Sequence, residues 1–248
     1  MQSLFSRGKV PLICVPVTAK TKEELEEQLE VVVEKAPDLI EWRADFFEKL
    51  NDTELVIEAI HDIKEKTAVP LLFTIRSEKE GGEAISLTEA EKVELISVIA
   101  EKTNIDFIDY EVKNDRAHVE KVRDMTKKND VGLILSFHDF TKTPSENELL
   151  KIASLMEFYG ADVAKLAVMP QEKDDVYRLL NATKTIDELL DIPVITMSMG
   201  KLGVMSRIIG WLYGSRLTFA VGVERSAPGQ VPIEKLREAI EAVQQISD

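Results

Sequence analysis

GLILSFHDFTKTPSENELLKIASLMEFYGADVAKLAV, Gly132 to Val168, holds one complete unit of the fold. GLILSFH is a short apolar run, ENELLKIASLMEFYG is amphipathic with a helical period, and DVAKLAV is apolar again. Strand, helix, strand in this order predicts two parallel neighbours joined by a crossover helix. The same alternation runs outward in both directions: PLICVPV from Pro11, DLIEWR from Asp38, PLLFTIR from Pro70 and IDFIDYEV from Ile105 precede it, and PVITMSM from Pro193 and LTFAVG from Leu217 follow it. Amphipathic segments such as KEELEEQLEVVVEKA, TEAEKVELISVIAEK and VYRLLNATKTIDELL lie between them. Thr21 with Glu24 and Thr88 with Glu91 have capping-box spacing, and Pro232 reads as a first helical position before IEKLREAIEAV.

Eight such units at a spacing of about 30 residues predict an α/β fold, a (β/α)8 TIM barrel. No linker or change of composition divides the chain, so residues 1–248 are expected to form a single catalytic domain. An open doubly wound sheet would more often carry a glycine-rich turn after its first strand; here that position reads VPVTAKTKEE, and the chain contains no GxGxxG.

The 248 residues are 44% hydrophobic and 31% charged, with a formal net charge of -14, which argues against a nucleic-acid binder and against adhesion to anionic lipid. The lone cysteine, Cys14, reads as a core residue with no intrachain disulfide available. MQSLFSRGKVP lacks a signal-peptide hydrophobic region and no apolar run has transmembrane length, so a cytoplasmic location is expected.

Within AKLAV, strand alternation puts Val163, Lys165 and Ala167 on one face. A lysine among small apolar residues is costly to bury unless it is paired or spends time neutral, and a neutral lysine is a nucleophile. The barrel rule places functional residues at the C-terminal ends of strands. There the sequence supplies Glu41 and Arg43, Arg76 before SEKEGGE, Asp109 and Glu111, His138, Lys165, and Met197 to Met199 before a loop leading to Arg207. Each alone has a structural reading: an ion pair for Glu41 and Arg43, a hydrogen-bonded core histidine, methionine packing, the rim of a solvated loop. Their joint recurrence on successive strands favours function. Lysine, histidine and arginines suit Schiff-base chemistry, in which an iminium acidifies the adjacent carbon, an imidazole moves the proton and arginines clamp a carboxylate. A metal site built on His138, Asp109 and Glu111 is weaker for want of a second histidine.

EWRAD (Glu41 to Asp45), FTIRSEKEGGE (Phe73 to Glu83), SFHDF (Ser136 to Phe140), AKLAVMP (Ala164 to Pro170), TMSMGKLGVMSR (Thr196 to Arg207) and SAPGQ (Ser226 to Gln230) together resemble the type I 3-dehydroquinate dehydratases, in order along nearly the whole chain. The resemblance implies elimination of water from 3-dehydroquinate to 3-dehydroshikimate in the shikimate pathway, through a lysine imine and without metal or coenzyme. It implies Lys165 as the imine lysine, His138 as base and acid, Glu80 as its loop partner and Asp109 as a carboxylate behind it. It implies Arg207, Ser226 and Gln230 at the substrate carboxylate, Glu41, Arg43 and Arg76 at the ring hydroxyls, and Met197, Met199 and Phe219 as an apolar wall. A homodimer is expected, with no fused second domain. Cations near Lys165 would favour its neutral form, and the glycine-bearing loops 77–82 and 225–230 would act as lids. Two rivals stay open: a sugar-phosphate class I aldolase, and a catalytically silent relative that keeps the barrel.

Overall fold

The computed structural model describes residues 4–5, 11–224 and 226–247. Strands β1 (Leu12–Val17), β2 (Leu39–Arg43), β3 (Leu71–Thr74), β4 (Phe107–Glu111), β5 (Gly132–Asp139), β6 (Val163–Val168), β7 (Val194–Ser198) and β8 (Leu217–Val221) alternate with helices. These are α1 (Lys22–Glu34), α2 (Thr53–Lys66), α3 (Glu89–Lys102), α4 (Arg116–Lys128), α5 (Glu146–Phe158), α6 (Lys173–Leu189), the short α7 (Val204–Ile209) and α8 (Ile233–Ser247). Each strand pairs in parallel with its sequence neighbour from β1 to β7, and β1 also pairs with β8. The gap between β7 and β8 is closed by a bridge from Val194 to Ser215, beside which the Arg216 amide donates to the Val194 carbonyl at 2.9 Å. The result is a (β/α)8 barrel. A two-residue strand, β9 (Val231–Pro232), pairs with the end of β8 and was not foreseen. Pro232 therefore closes a strand, and the last helix starts one residue later.

The strand period of two sorts the side chains into an outer and an inner core. Facing outward, Ile40, Trp42, Phe73, Leu133, Leu135, Ala164 and Leu166 pack against the apolar stripes of the helices. Facing inward at the strand starts, Cys14, Leu39, Leu72, Phe107, Ile134, Val163, Ile195 and Leu217 form an apolar floor, joined by Phe5, whose ring lies edge-to-face with Phe107 at 5.5 Å. Two residues further along each strand, the inward positions become Glu41, Thr74, Asp109, Ser136, Lys165, Met197 and Phe219. The change from an apolar to a polar layer is thus a single step along β2 to β6, while β7 and β8 stay apolar with Met197 and Phe219.

Helix starts follow their caps. Thr88 and Glu91 form the reciprocal capping box expected from their spacing. Thr21 accepts from the Glu24 amide, but the Glu24 carboxylate turns to the Lys20 amide, so that box is only half made. Among the described residues no helix is long and apolar enough to cross a membrane.

Trp42 is fully buried between the barrel and α2, with Phe47 and Phe73 each edge-to-face at 5.5 Å. Trp42→Ala is expected to cost about 3–5 kcal/mol of unfolding free energy, read from the urea midpoint.

Candidate active site

The polar layer is built around one lysine. Lys165 Nζ, on a residue only 3% exposed, donates to Asp109 Oδ2 at 2.9 Å, lies 3.5 Å from Glu41 Oε1, and sits 4.6 Å over the Phe219 ring. Asp109 Oδ1 accepts from Arg76 Nη2 at 2.7 Å and from Ser136 Oγ at 2.6 Å. Arg76 also donates from Nη1 to Glu111 Oε1 at 3.0 Å and to Ser136 Oγ at 2.9 Å. Burial alone would raise the Asp109 carboxyl, but the charges of Arg76 and Lys165 outweigh it, holding the group far below the usual carboxylate range. Burial would lower the Arg76 guanidinium, and Asp109 with Glu111 push it the other way, above the usual arginine value.

His138 lies one inward position above this layer, paired in register with Ala167 while Ser136 is paired with Lys165. Its Nδ1 is 2.9 Å from Glu80 Oε2, and the same oxygen accepts from the His138 amide at 3.0 Å. Nδ1 is therefore engaged, and Nε2 is the ring nitrogen available to the cavity. Burial first, then the charges of Arg76 and Lys165, keep the imidazole well below its ordinary value, in the neutral form suited to a general base. Glu80 is pushed up to about 7 by burial, against the opposing charge of Arg76. Gly81, at φ +85°, lies against Phe140, where a Cβ would fall 2.3 Å from the ring edge. Glycine lets the loop adopt that backbone and approach the ring.

Across the cavity Arg207 is 2% exposed and, among the described residues, is paired with no carboxylate. Nη2 donates to the Pro228 carbonyl at 3.1 Å, Nη1 to the Phe219 carbonyl at 3.4 Å, and Nε lacks a partner. Burial without a compensating charge brings the guanidinium down to about 10. Gln230 accepts from the Ser226 amide at 2.9 Å and donates to its hydroxyl at 3.0 Å, folding the last loop over the cavity.

Glu41, Arg43, Arg76, Glu80, His138, Lys165, Met197, Met199, Arg207, Phe219, Ser226 and Gln230 line one cavity, with Asp109 directly behind the lysine. A larger open groove beside α1 carries neither the lysine nor the histidine. The arrangement adds three particulars to the sequence reading. The direct partners of Lys165 are the carboxylates of Asp109 and Glu41. Asp109 bonds to the lysine and acts on His138 through its charge. Arg76 donates to Asp109, Glu111 and Ser136 while also lining the cavity. Arg225, at the start of the second expected lid, lies outside the described residues. The sequence reading gave no role to Ser136, Phe140 or Asp45. Alternation from Ile134 through Ser136 to His138 would have shown Ser136 facing inward; Phe140 and Asp45 lie beyond strand ends, where that signal stops.

Ionisable side chains converging from several strand ends on one cavity at the C-terminal mouth of a parallel barrel define a (β/α)8 barrel of the enzyme type. The model of the family described as Type I 3-dehydroquinase matches residues 13–247. A protein of Albidiferax ferrireducens named 3-dehydroquinate dehydratase is 49% identical over 92% of this chain and 87% of its own. The crystal structure of 3-dehydroquinate dehydratase from Geobacillus kaustophilus superposes with a TM-score of 0.93 at 45% identity, covering 96% of this chain and 93% of that one. The type I 3-dehydroquinate dehydratase of Clostridium difficile, solved with covalently modified comenic acid, gives 0.91 at 36% identity over 95% and 93%. The chain belongs to the type I 3-dehydroquinase family.

The two shifted groups at His138 give opposite pH dependences. Folded Glu80 holds its proton more tightly than the unfolded chain does, so its contribution to stability is full below about pH 4.5 and is lost as pH rises through about 7. His138 holds its proton less tightly when folded, so its contribution is full above about pH 6.5 and is lost as pH falls. Glu80→Gln removes the first dependence alone. Its urea stability relative to the parent is expected to be higher at pH 8 than at pH 4.5, by about 1–3 kcal/mol. A difference that does not change with pH would contradict the assignment.

Proposed function

We propose that this barrel is a 3-dehydroquinate dehydratase that eliminates water through a Schiff base on Lys165. The observation that carries the reading is a buried lysine amine and a neutral histidine on adjacent strands, lining the same cavity. The covalent modification in the Clostridium difficile relative supports covalent chemistry in the family.

In this mechanism the deprotonated amine attacks the C3 ketone and loss of water gives the iminium. His138 Nε2 takes the C2 proton, the electron pair moves into an enamine, and the C1 hydroxyl leaves with a proton returned by the imidazolium. Hydrolysis of the iminium frees 3-dehydroshikimate and restores the amine. Asp109, Glu41 and the Phe219 face surround Nζ with negative potential, which stabilises the iminium formed there. Glu80 fixes the imidazole through Nδ1. Arg207, with no carboxylate of its own, takes the substrate carboxylate with Ser226 and Gln230. Glu41, Arg43 and Arg76 bind ring hydroxyls, Arg76 also framing Asp109, and Met197, Met199 and Phe219 form the apolar wall. The chemistry needs neither metal nor coenzyme. The chain is proposed to act as a single catalytic barrel domain, in the cytoplasm and as a homodimer, a state that sedimentation tests directly.

Borohydride reduction in the presence of 3-dehydroquinate is expected to leave a stable mass increase on the peptide containing Lys165. Absence of an adduct from folded protein, with no rise in enone absorbance, would overturn the reading. Lys165→Ala is expected to fold and show no turnover. His138→Ala is expected to lose about 10²–10⁴ in kcat while still accumulating the reducible adduct.

A further inference from the structure

Asp45 follows β2 in a single 3-10 turn, and its carboxylate is completely buried. It receives two hydrogen bonds on each oxygen. Oδ1 accepts from Arg43 Nε at 2.9 Å and from the Arg76 amide at 3.2 Å; Oδ2 accepts from Arg43 Nη2 at 2.8 Å and from the Glu83 amide at 3.1 Å. The first pair is a bidentate fork that fixes the guanidinium plane and leaves Nη1 for the cavity that Arg43 lines. The other two bonds, to the Arg76 and Glu83 amides, reach both roots of the 77–82 loop that follows β3. A second buried carboxylate, Glu111, accepts from the Ser77 amide at 2.8 Å. The loop expected to be mobile is thus fastened at its roots, and its tip carries Glu80 onto His138.

We propose that Asp45 is a positioning residue that sets the plane of Arg43 and holds both roots of the loop that presents Glu80 to His138. Asparagine at this position turns two acceptor sites into donors facing Arg43 Nη2 or a backbone amide. Two functions then loosen together: ring binding through Arg43, and the imidazole contact through Glu80. The imidazole is faced by Glu80 from the loop, Arg76 from the end of β3, Asp109 from β4, Lys165 from β6 and Arg43 from β2. Because burial is the largest cause of its lowered value, a loosened loop that admits water raises it toward the ordinary histidine value.

The substrate side of this inference rests on the proposed dehydratase reading; the histidine side does not. The control is Asp106→Asn. Asp106 lies at the opposite end of the barrel, where Oδ2 accepts from Lys64 Nζ at 2.6 Å and from the Leu71 amide at 2.7 Å, so the variant also strips a carboxylate from a strand root but far from the cavity. Asp45→Asn is expected to raise KM for 3-dehydroquinate roughly tenfold and to lower kcat by a similar factor. By NMR, with the resonance assigned through its loss in His138→Asn, it is expected to move the His138 titration midpoint up by about half a pH unit or more. Asp106→Asn is expected to do none of these. If Asp45→Asn does not fold, Asp45→Glu, which keeps the charge but changes the reach, carries the same comparison. A folded Asp45 variant with the KM, kcat and His138 midpoint of the control overturns the proposal. If the parent does not turn over 3-dehydroquinate, the dehydratase reading fails, and the midpoint in substrate-free protein still decides the role of Asp45.

Discussion

The ion pair between Lys165 and Asp109, closed inside the barrel mouth, is the interaction on which the rest of the site depends. Neither charge can be buried alone, because desolvating an isolated ion costs more than any single contact returns. Each charge therefore demands a partner, and each partner another. Asp109 brings in Arg76 and Ser136, Arg76 brings in Glu111, and Lys92 on α3 lies 3.9 Å from the far oxygen of Glu111. Satisfying the chain of partners leaves little freedom in where the lysine amine can sit. If the amine is the reacting nitrogen of the proposed mechanism, holding it this way leaves no further ordering to be done when a substrate arrives.

This network also explains a local conflict between fold and function. An all-apolar barrel interior would be easier to build, and the floor of this one is apolar from Leu39 to Leu217. The next layer gives that up for a charged lattice whose members come from β2, β4, β5 and β6 and from the loop following β3. The lattice is held because the floor beneath it and the helices around it are conventionally packed. Function occupies the end of the barrel that the hydrophobic core does not need.

What could be read from the amino-acid order follows the same division. The strands were legible because each is a short apolar run between helical repeats, and the inward faces because alternation along a strand is local: Lys165 declares its face through Val163 and Ala167. The pairings were not legible. Lys165 and Asp109 are 56 positions apart and meet only through the parallel register of β4, β5 and β6, which no local pattern encodes. The expected cations, Arg43 and Arg76, do line the same cavity as the lysine, but each is paired with carboxylates of its own, and that pairing was not legible. Asp45 was hidden differently. It stands inside a recognisable motif, yet what its carboxylate does depends on backbone amides some thirty residues away.

The pairing logic leaves one exception, and the exception gives the cavity its polarity. Arg207 is as buried as the other ions, but among the described residues its hydrogen bonds go only to carbonyl oxygens and a methionine sulfur. A guanidinium in that position lacks a countercharge that the substrate carboxylate of the proposed reaction would supply. The bulk charge of -14 would repel any anion at long range, so attraction has to come from a local excess of positive charge inside the mouth. Glu80, held near neutrality by burial, adds to that excess whenever it is protonated. In the proposed reaction the compensated side of the cavity would serve the chemistry at the lysine and the uncompensated side the binding, and an anionic ring held at Arg207 would share one cavity with Lys165 and His138.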